Sequence, residues 1–175
     1  SELDAVILGM HAKKNNVELL KSQALGIRIY SFPEFIFEQT KTKKRIVVAG
    51  SHGKTTTTAM IMHVMKALDY SFDYLVGSSL EGFDLSVQLS DAEYVILEGD
   101  EYLSSPIDKR SKFHYYDPDI AIITGIAWDH VNVFPTWESY VKTFEEFLTN
   151  MRKSSKAIVF QADKTIQEII RFADC

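Results

Sequence analysis

The 175-residue sequence predicts an α/β fold, a mostly parallel sheet with helices on both faces. Three observations predict it. Short apolar runs alternate with longer helical stretches along the chain, the order that parallel strands joined by helical crossovers produce. Runs such as "VIL" in "AEYVILEGDE" and "IAII" are apolar throughout, as strands covered on both faces are. The run "RIVVAG" passes through "SHGK" directly into a helical pattern, a strand–loop–helix order typical of such sheets.

Each element has its own local reason. "AVILGM" reads as a buried strand, and "NNVELLKSQALG" as a helix that ends at Gly26. "IRIYS" is a second short strand, and "FPEFIFEQT" a helix with Pro33 in its first turn. This βαβα unit spans about 5–42, and "TKTKK" reads as a linker with a domain boundary near Lys44. Beyond it come strand "RIVVAG", helix "TTTAMIMHVMKALD", and the extended segments "FDYLVG" and "LSVQL". "AEYVILEGDE" is a buried strand with an acidic end, followed by a polar segment containing proline and the strand "DIAIITGI". An amphipathic helix "TWESYVKTFEEFLTNM", a strand "KAIVFQ" and a helix "DKTIQEIIRFA" complete the order.

Composition excludes several classes. Hydrophobic residues make up 46% and charged residues 25%, normal for a packed globule. A formal net charge of −5 argues against a nucleic-acid partner, which would select a basic face. The basic run from Lys41 to Arg45 reads as a solvated connector. Cys175 is the only cysteine, so neither a disulfide framework nor a cysteine zinc site is expected. No apolar run is long enough to span a bilayer, so no membrane partner and a cytoplasmic location are expected. Both ends read as cuts through a longer polypeptide.

The stretch "AGSHGKTTTT", Ala49 to Thr58, puts four consecutive threonines at a helix start, although threonine is a poor helix former. Binding explains the run better than local stability does. Gly50 and Gly53 let backbone N–H groups turn toward a phosphate, Lys54 supplies a cation, and the Thr55 hydroxyl suits magnesium. The general phosphate-loop pattern is only partly met, because Val48 stands where its first glycine belongs. His52 reads as a loop residue rather than a base.

Two further strand ends carry polar groups. "VILEGDE" closes on Glu98, Asp100 and Glu101, and "IAIITGIAWDH" on Asp129 and His130. In open α/β sheets ligands sit beyond the carboxyl ends of the strands, where the phosphate loop also lies. A carboxylate there can bind magnesium or position a nucleophile, and Glu98 reads as a metal ligand, while His130 is a candidate for a metal or a substrate role. Trp128 and Phe134 read as packing residues.

Taken together, "GSHGKTT", Glu98 in "LEGDE" and the pair Asp129–His130 resemble the central domain of the Mur ligase family. The resemblance implies ATP and Mg2+ as cofactors, with Gly50, Ser51, His52, Gly53, Lys54, Thr55 and Thr56 forming the nucleotide loop. It implies that Lys54 contacts the phosphates, that Thr55 and Glu98 hold one magnesium, and that His130 helps to hold a second. Lys54, Glu98 and His130 are the implied catalytic set. Residues 1–44 would be the tail of a Rossmann-like N-terminal domain that binds the UDP-sugar, and 45–175 an incomplete central ATP-binding domain. The stretch "GDEYLSSPIDKRSKF" resembles the family branch that recycles murein tripeptide. That implies UDP-N-acetylmuramate and L-Ala-γ-D-Glu-meso-diaminopimelate as substrates, joined through an acyl phosphate. Glu101, Tyr102, Lys109 and Arg110 are its candidate substrate contacts, with a solvated basic loop as the alternative for the last two. The branch adding L-alanine to UDP-N-acetylmuramate is the nearest alternative, and a nucleotide-binding module without amide chemistry a more distant one. Gly125 stands where the family usually carries asparagine, and Ser51 replaces its commoner threonine. The family's C-terminal domain is not read in this sequence, so the chain is expected to be a fragment that does not ligate by itself.

Overall fold

In a computed structural model, which describes residues 3–175, the chain forms two sheets. Strands β1 (Ala5–Leu8) and β2 (Arg28–Ser31) pair in parallel as a small sheet. The main sheet takes β3 (Lys44–Ala49), β4 (Phe72–Leu75), β5 (Val87–Gln88), β6 (Tyr94–Glu98), β7 (Ile120–Ile123) and β8 (Lys156–Val159). Their order is β5-β4-β6-β3-β7-β8, with only β5 antiparallel. Central β3 pairs Val48 with Glu98 of β6 and Ala49 with Ile123 of β7. That register brings three strand ends side by side.

Alternation along the strands divides the core. Val47, Ala49, Val95, Leu97, Ala121 and Ile123 face one side, where α4 (Trp137–Thr149) and α5 (Lys164–Ile169) supply Phe144, Phe147, Leu148 and Ile166. Ile96, Phe72, Tyr74 and Val76 face the other, against Met62 of α3 (Lys54–Ala67). Helix α4 forms because Tyr140, Thr143, Phe144, Phe147 and Leu148 recur at three- and four-residue spacing. Its start is fixed by a capping box between Thr136 and Ser139.

The N-terminal elements obey the same local rules. Asn16 caps α1 (Val17–Ala24), Gly26 turns out of it at φ 66°, and a Ser31–Glu34 capping box with Pro33 opens α2 (Phe32–Thr40). The basic run after α2 corrects the expectation of a solvated connector. Arg45 is only 4% exposed, and its guanidinium donates to the carbonyls of Thr40 and Lys41 and to Asp117. Lys43 Nζ lies 2.7 Å from the buried Asp73 carboxylate and donates to the carbonyls of Ser90 and Ala92. The physical reason is that the last carbonyls of a helix need donors, and a fixed fork of N–H groups supplies several at once. Ile36 of α2 is itself buried in the main core.

Candidate phosphate and metal site

The loop between β3 and α3 has little room for side chains. Gly50 sits at φ 127°, and a β-carbon there would lie 2.2 Å from Thr124 Oγ1. Gly53 reaches φ 78° and heads α3 without a side-chain cap, which leaves the first-turn N–H groups turned outward. Thr124 Oγ1 donates to the carbonyls of His52 (2.6 Å) and Ala49 (3.2 Å), and Ser51 N–H to Gly125 O (2.9 Å). So the β7 end, including the Gly125 position, braces the loop through backbone groups. The side chains of His52 and Thr56 are exposed.

Lys54 folds back over this loop, donating to Gly50 O at 2.6 Å and to Glu101 Oε2 at 2.9 Å. One residue on, Thr55 Oγ1 donates to Glu98 Oε1 at 2.8 Å, and Glu98 Oε2 accepts from Gly77 N–H at 3.0 Å. The approach is close: a β-carbon at Gly77 would stand 3.0 Å from Glu98 Oε1, so a larger residue there would push that carboxylate aside. The start of α3 thus meets the end of β6 twice, through Lys54–Glu101 and Thr55–Glu98.

His130 completes the far side. Its backbone is left-handed at φ 55°, its N–H donates to Asp129 Oδ1 at 2.6 Å, and its Nε2 lies 3.4 Å from Glu101 Oε1. The Tyr102 ring stands edge-on to the imidazole at 5.0 Å, and Asn132 bonds the Tyr102 hydroxyl. Ligand atoms of Asp100, Glu101 and His130 all lie within 4.8 Å of one another. Burial raises the Asp100 carboxyl, but the Lys112 ammonium 2.6 Å away outweighs it and holds the group below the ordinary carboxylate range. These oxygen donors, with one imidazole, suit a hard divalent cation bound partly through its own water.

Of the residues singled out in the sequence, Lys54, Thr55, Glu98, Glu101, Tyr102 and His130 converge here. His130 faces Glu101 and Asp129, while Glu98 faces Thr55. Glu101 is fully buried beneath Lys54. Lys109 and Arg110 lie apart, on a groove of about 680 Å³ that Asn132, Ser139 and Lys142 also line. The Lys109 side chain is exposed, whereas Arg110 is held by Asp108 at 2.6 Å. Arg110, and after it the Tyr115 hydroxyl, hold the Asp108 carboxyl at about 2 against its burial. Beside Glu98 lies a more apolar cavity of about 310 Å³, lined by Phe32, Leu75, Val76, Asp100, Lys112 and Tyr116.

Phe134 is buried as expected, but Trp128 is 48% exposed, which corrects its reading as a packing residue. Its indole lies at the surface, tethered by an N–H donated to Phe134 O at 3.1 Å. Sequence reasoning also missed Gly77 and Tyr140. The Tyr140 hydroxyl contacts Ser51 Oγ (2.7 Å) and Glu101 Oε1 (3.0 Å), yet its position in α4 carries only the signal of a core residue.

Comparison with known proteins follows this geometry. Residues 48–175 match the family model described as the Mur ligase middle domain. Over 175 residues the chain is 31% identical to the UDP-N-acetylmuramate–L-alanine ligase of Desulforamulus reducens, covering 100% of this chain and 36% of that protein. Over 168 residues it is 28% identical to the UDP-N-acetylmuramate–L-alanyl-γ-D-glutamyl-meso-2,6-diaminoheptandioate ligase of Haemophilus influenzae, covering 95% and 37%. The chain therefore spans about a third of the length of these relatives. The crystal structure of the UDP-N-acetylmuramate:L-alanyl-γ-D-glutamyl-meso-diaminopimelate ligase from Neisseria meningitides superimposes with a TM-score of 0.88. Its sequence identity is 24%, and the match covers 97% of this chain and 56% of that one.

Proposed function

This chain belongs to the Mur ligase family, and from that premise we propose that it is the nucleotide-binding core of an ATP-dependent ligase that forms an amide bond on a UDP-N-acetylmuramate substrate in the cytoplasm. One observation carries the reading. Consecutive residues at the start of α3, Lys54 and Thr55, each meet a carboxylate at the end of the neighbouring parallel strand, Glu101 and Glu98. A cation for terminal phosphates and an oxygen pair for a divalent metal are thereby held at one helix N-terminus.

In this reading the Gly50–Gly53 backbone and the first-turn N–H groups of α3 cradle the phosphates, and Lys54 leaves Gly50 O and Glu101 to meet the terminal ones. Thr55 and Glu98 would hold one magnesium, and Glu101, Asp100 and His130 a second. Bound magnesium would offset the negative charge that spreads over the transferring phosphoryl group. Attack on that group by a substrate carboxylate breaks its bond to ADP, which leaves, and yields an acyl phosphate. A neutral amine then attacks the acyl carbon, and phosphate and a proton are released as the amide forms. Residues 1–44, whose α2 contributes Phe32 to the cavity beside Glu98, are assigned to the tail of the UDP-sugar domain, and 45–175 to the central domain.

For the amine substrate we favour L-Ala-γ-D-Glu-meso-diaminopimelate, on the strength of "DKRSKF" and the groove that Lys109 and Arg110 line. Free L-alanine is the second reading, since the relative at 31% identity carries that name. Calorimetric titration of this chain with Mg-ATP, beside its Lys54→Ala variant, tests the nucleotide site. Saturable binding lost in the variant supports it, and equal binding by both refutes it. Phosphate release by a full-length protein, offered tripeptide or L-alanine, decides the substrate.

A further inference from the structure

Beneath Lys54 the hydrogen bonds form a chain whose directions are all determined. The Ala127 N–H donates to Ser51 Oγ at 2.8 Å. Tyr140 Oη lies 2.7 Å from Ser51 Oγ and donates to Glu101 Oε1 at 3.0 Å, so the Ser51 hydroxyl points its hydrogen at Tyr140. Lys54 donates to the second oxygen, Glu101 Oε2, at 2.9 Å. Tyr140 and Glu101 are both fully buried. An ionised carboxylate can only accept, so the Tyr140 hydroxyl is the donor in that contact.

A buried carboxylate is tolerated only while it is paired or well bonded. On the proposed function, Lys54 must leave Glu101 to reach the terminal phosphates of a nucleotide. Glu101 then keeps the Tyr140 hydroxyl on Oε1, and Oε2, the oxygen Lys54 vacates, is the one left for the second magnesium of the proposed function. We propose that Tyr140 is a positioning residue that lets Lys54 exchange between a resting counter-ion, Glu101, and the terminal phosphates of a nucleoside triphosphate. The inference rests on the nucleotide reading and goes beyond it, since Tyr140 touches neither nucleotide nor metal. Its link to the loop runs through Ser51, which ties the α4 hydroxyl to the segment that cradles the phosphates.

Tyr140→Phe isolates the hydroxyl, because the ring keeps its edge contacts with Phe134 and Phe144 at 5.2 and 5.3 Å between centroids. This chain and its Tyr140→Phe variant are titrated with Mg-ATP and with AMP, which lacks the phosphates Lys54 would meet. A hydrogen bond to a charged group predicts about tenfold weaker Mg-ATP binding in the variant, with AMP affinity unchanged. Equal Mg-ATP affinity, or equal loss for both nucleotides, overturns the inference. Melting temperatures without nucleotide supply an independent measurement on Lys54→Met, Tyr140→Phe and the double variant. Residues sharing Glu101 should give shifts that do not add, and additivity to within about 2 °C overturns the exchange. Should Tyr140→Phe not fold, Tyr140→Met, which also removes the hydroxyl, takes its place in both measurements. If the unmodified chain does not bind Mg-ATP, the nucleotide reading falls, and the melting cycle still decides whether Lys54 and Tyr140 share Glu101.

Discussion

Thr55 donates its hydroxyl to Glu98 Oε1 across 2.8 Å, joining the first turn of α3 to the last residue of β6. Neither side chain would be placed by its own element alone. The parallel register that sets Val48 beside Glu98 brings the strand end to the helix start. A divalent cation coordinated by these two oxygens would replace a contact already made, so little rearrangement is needed to admit it.

Removing the metal tests that pair. Chelation of magnesium should weaken ATP binding by this chain by about tenfold or more, and Glu98→Ala should bind ATP equally with and without the chelator. Titration calorimetry reads both, and a Glu98→Ala protein that still responds fully to magnesium would remove Glu98 from the site.

Lys54→Ala should reduce turnover of a full-length protein by about two orders of magnitude, the effect of losing one well-placed electrostatic group of about 3 kcal/mol. Rates of phosphate release check it. Turnover near that of the unmodified enzyme would end the assignment.

Gly50→Ala should lower stability by about 2 kcal/mol or more. Its β-carbon would meet Thr124 Oγ1 at 2.2 Å, and φ 127° is strained for any L-side chain. A denaturant melt measures this. Little loss would mean that β7 can retreat from the loop.

Arg45→Met should cost about 2 kcal/mol, because it strands the Thr40 and Lys41 carbonyls at a buried site, while Asp117 and Asp119 keep Arg152 as their partner. Chemical denaturation gives the value, and a neutral outcome would show that water replaces the guanidinium.

Stability should fall below neutral pH through His114. Burial holds its pKa below the ordinary 6.5, while the Thr143 carbonyl, which accepts from Nε2, opposes the shift. Because the folded value is the lower one, the unfolded chain takes up the proton first. The contribution is therefore complete above the unfolded pKa and is lost as pH falls through it toward the folded value. His114→Phe, which keeps the stack on Phe113, should flatten melting temperature between about pH 7 and pH 5.

The elements were legible because their signals are local: Pro33 at one helix start, Gly26 at another's end, apolar runs in the strands. Lys54, Thr55 and Glu98 could be singled out because a glycine turn, a lysine and a helix start follow one strand in order, and that coupling lifts a strand-end acid above an ordinary solvated turn. Folding brings the three together. What stayed hidden depends on contacts distant in sequence. Arg45 looks like part of a basic run, and only folding shows the α2 carbonyls and Asp117 around it. Tyr140 fits the apolar stripe of α4, and Glu101, 39 positions earlier, gives its hydroxyl a purpose. Trp128 was misread because an aromatic beside a site suggests packing, whereas one indole hydrogen bond suffices to hold it at the surface.

The clamp of Arg45 on the end of α2 has a mechanical consequence. With Ile36 in the core and Thr40 and Lys41 gripped, α2 is rigidly joined to the main sheet, and its first residue, Phe32, forms a wall of the cavity beside Glu98. A displacement of the small β1–β2 sheet would therefore be felt, through α2 and Phe32, at the wall of the cavity beside Glu98.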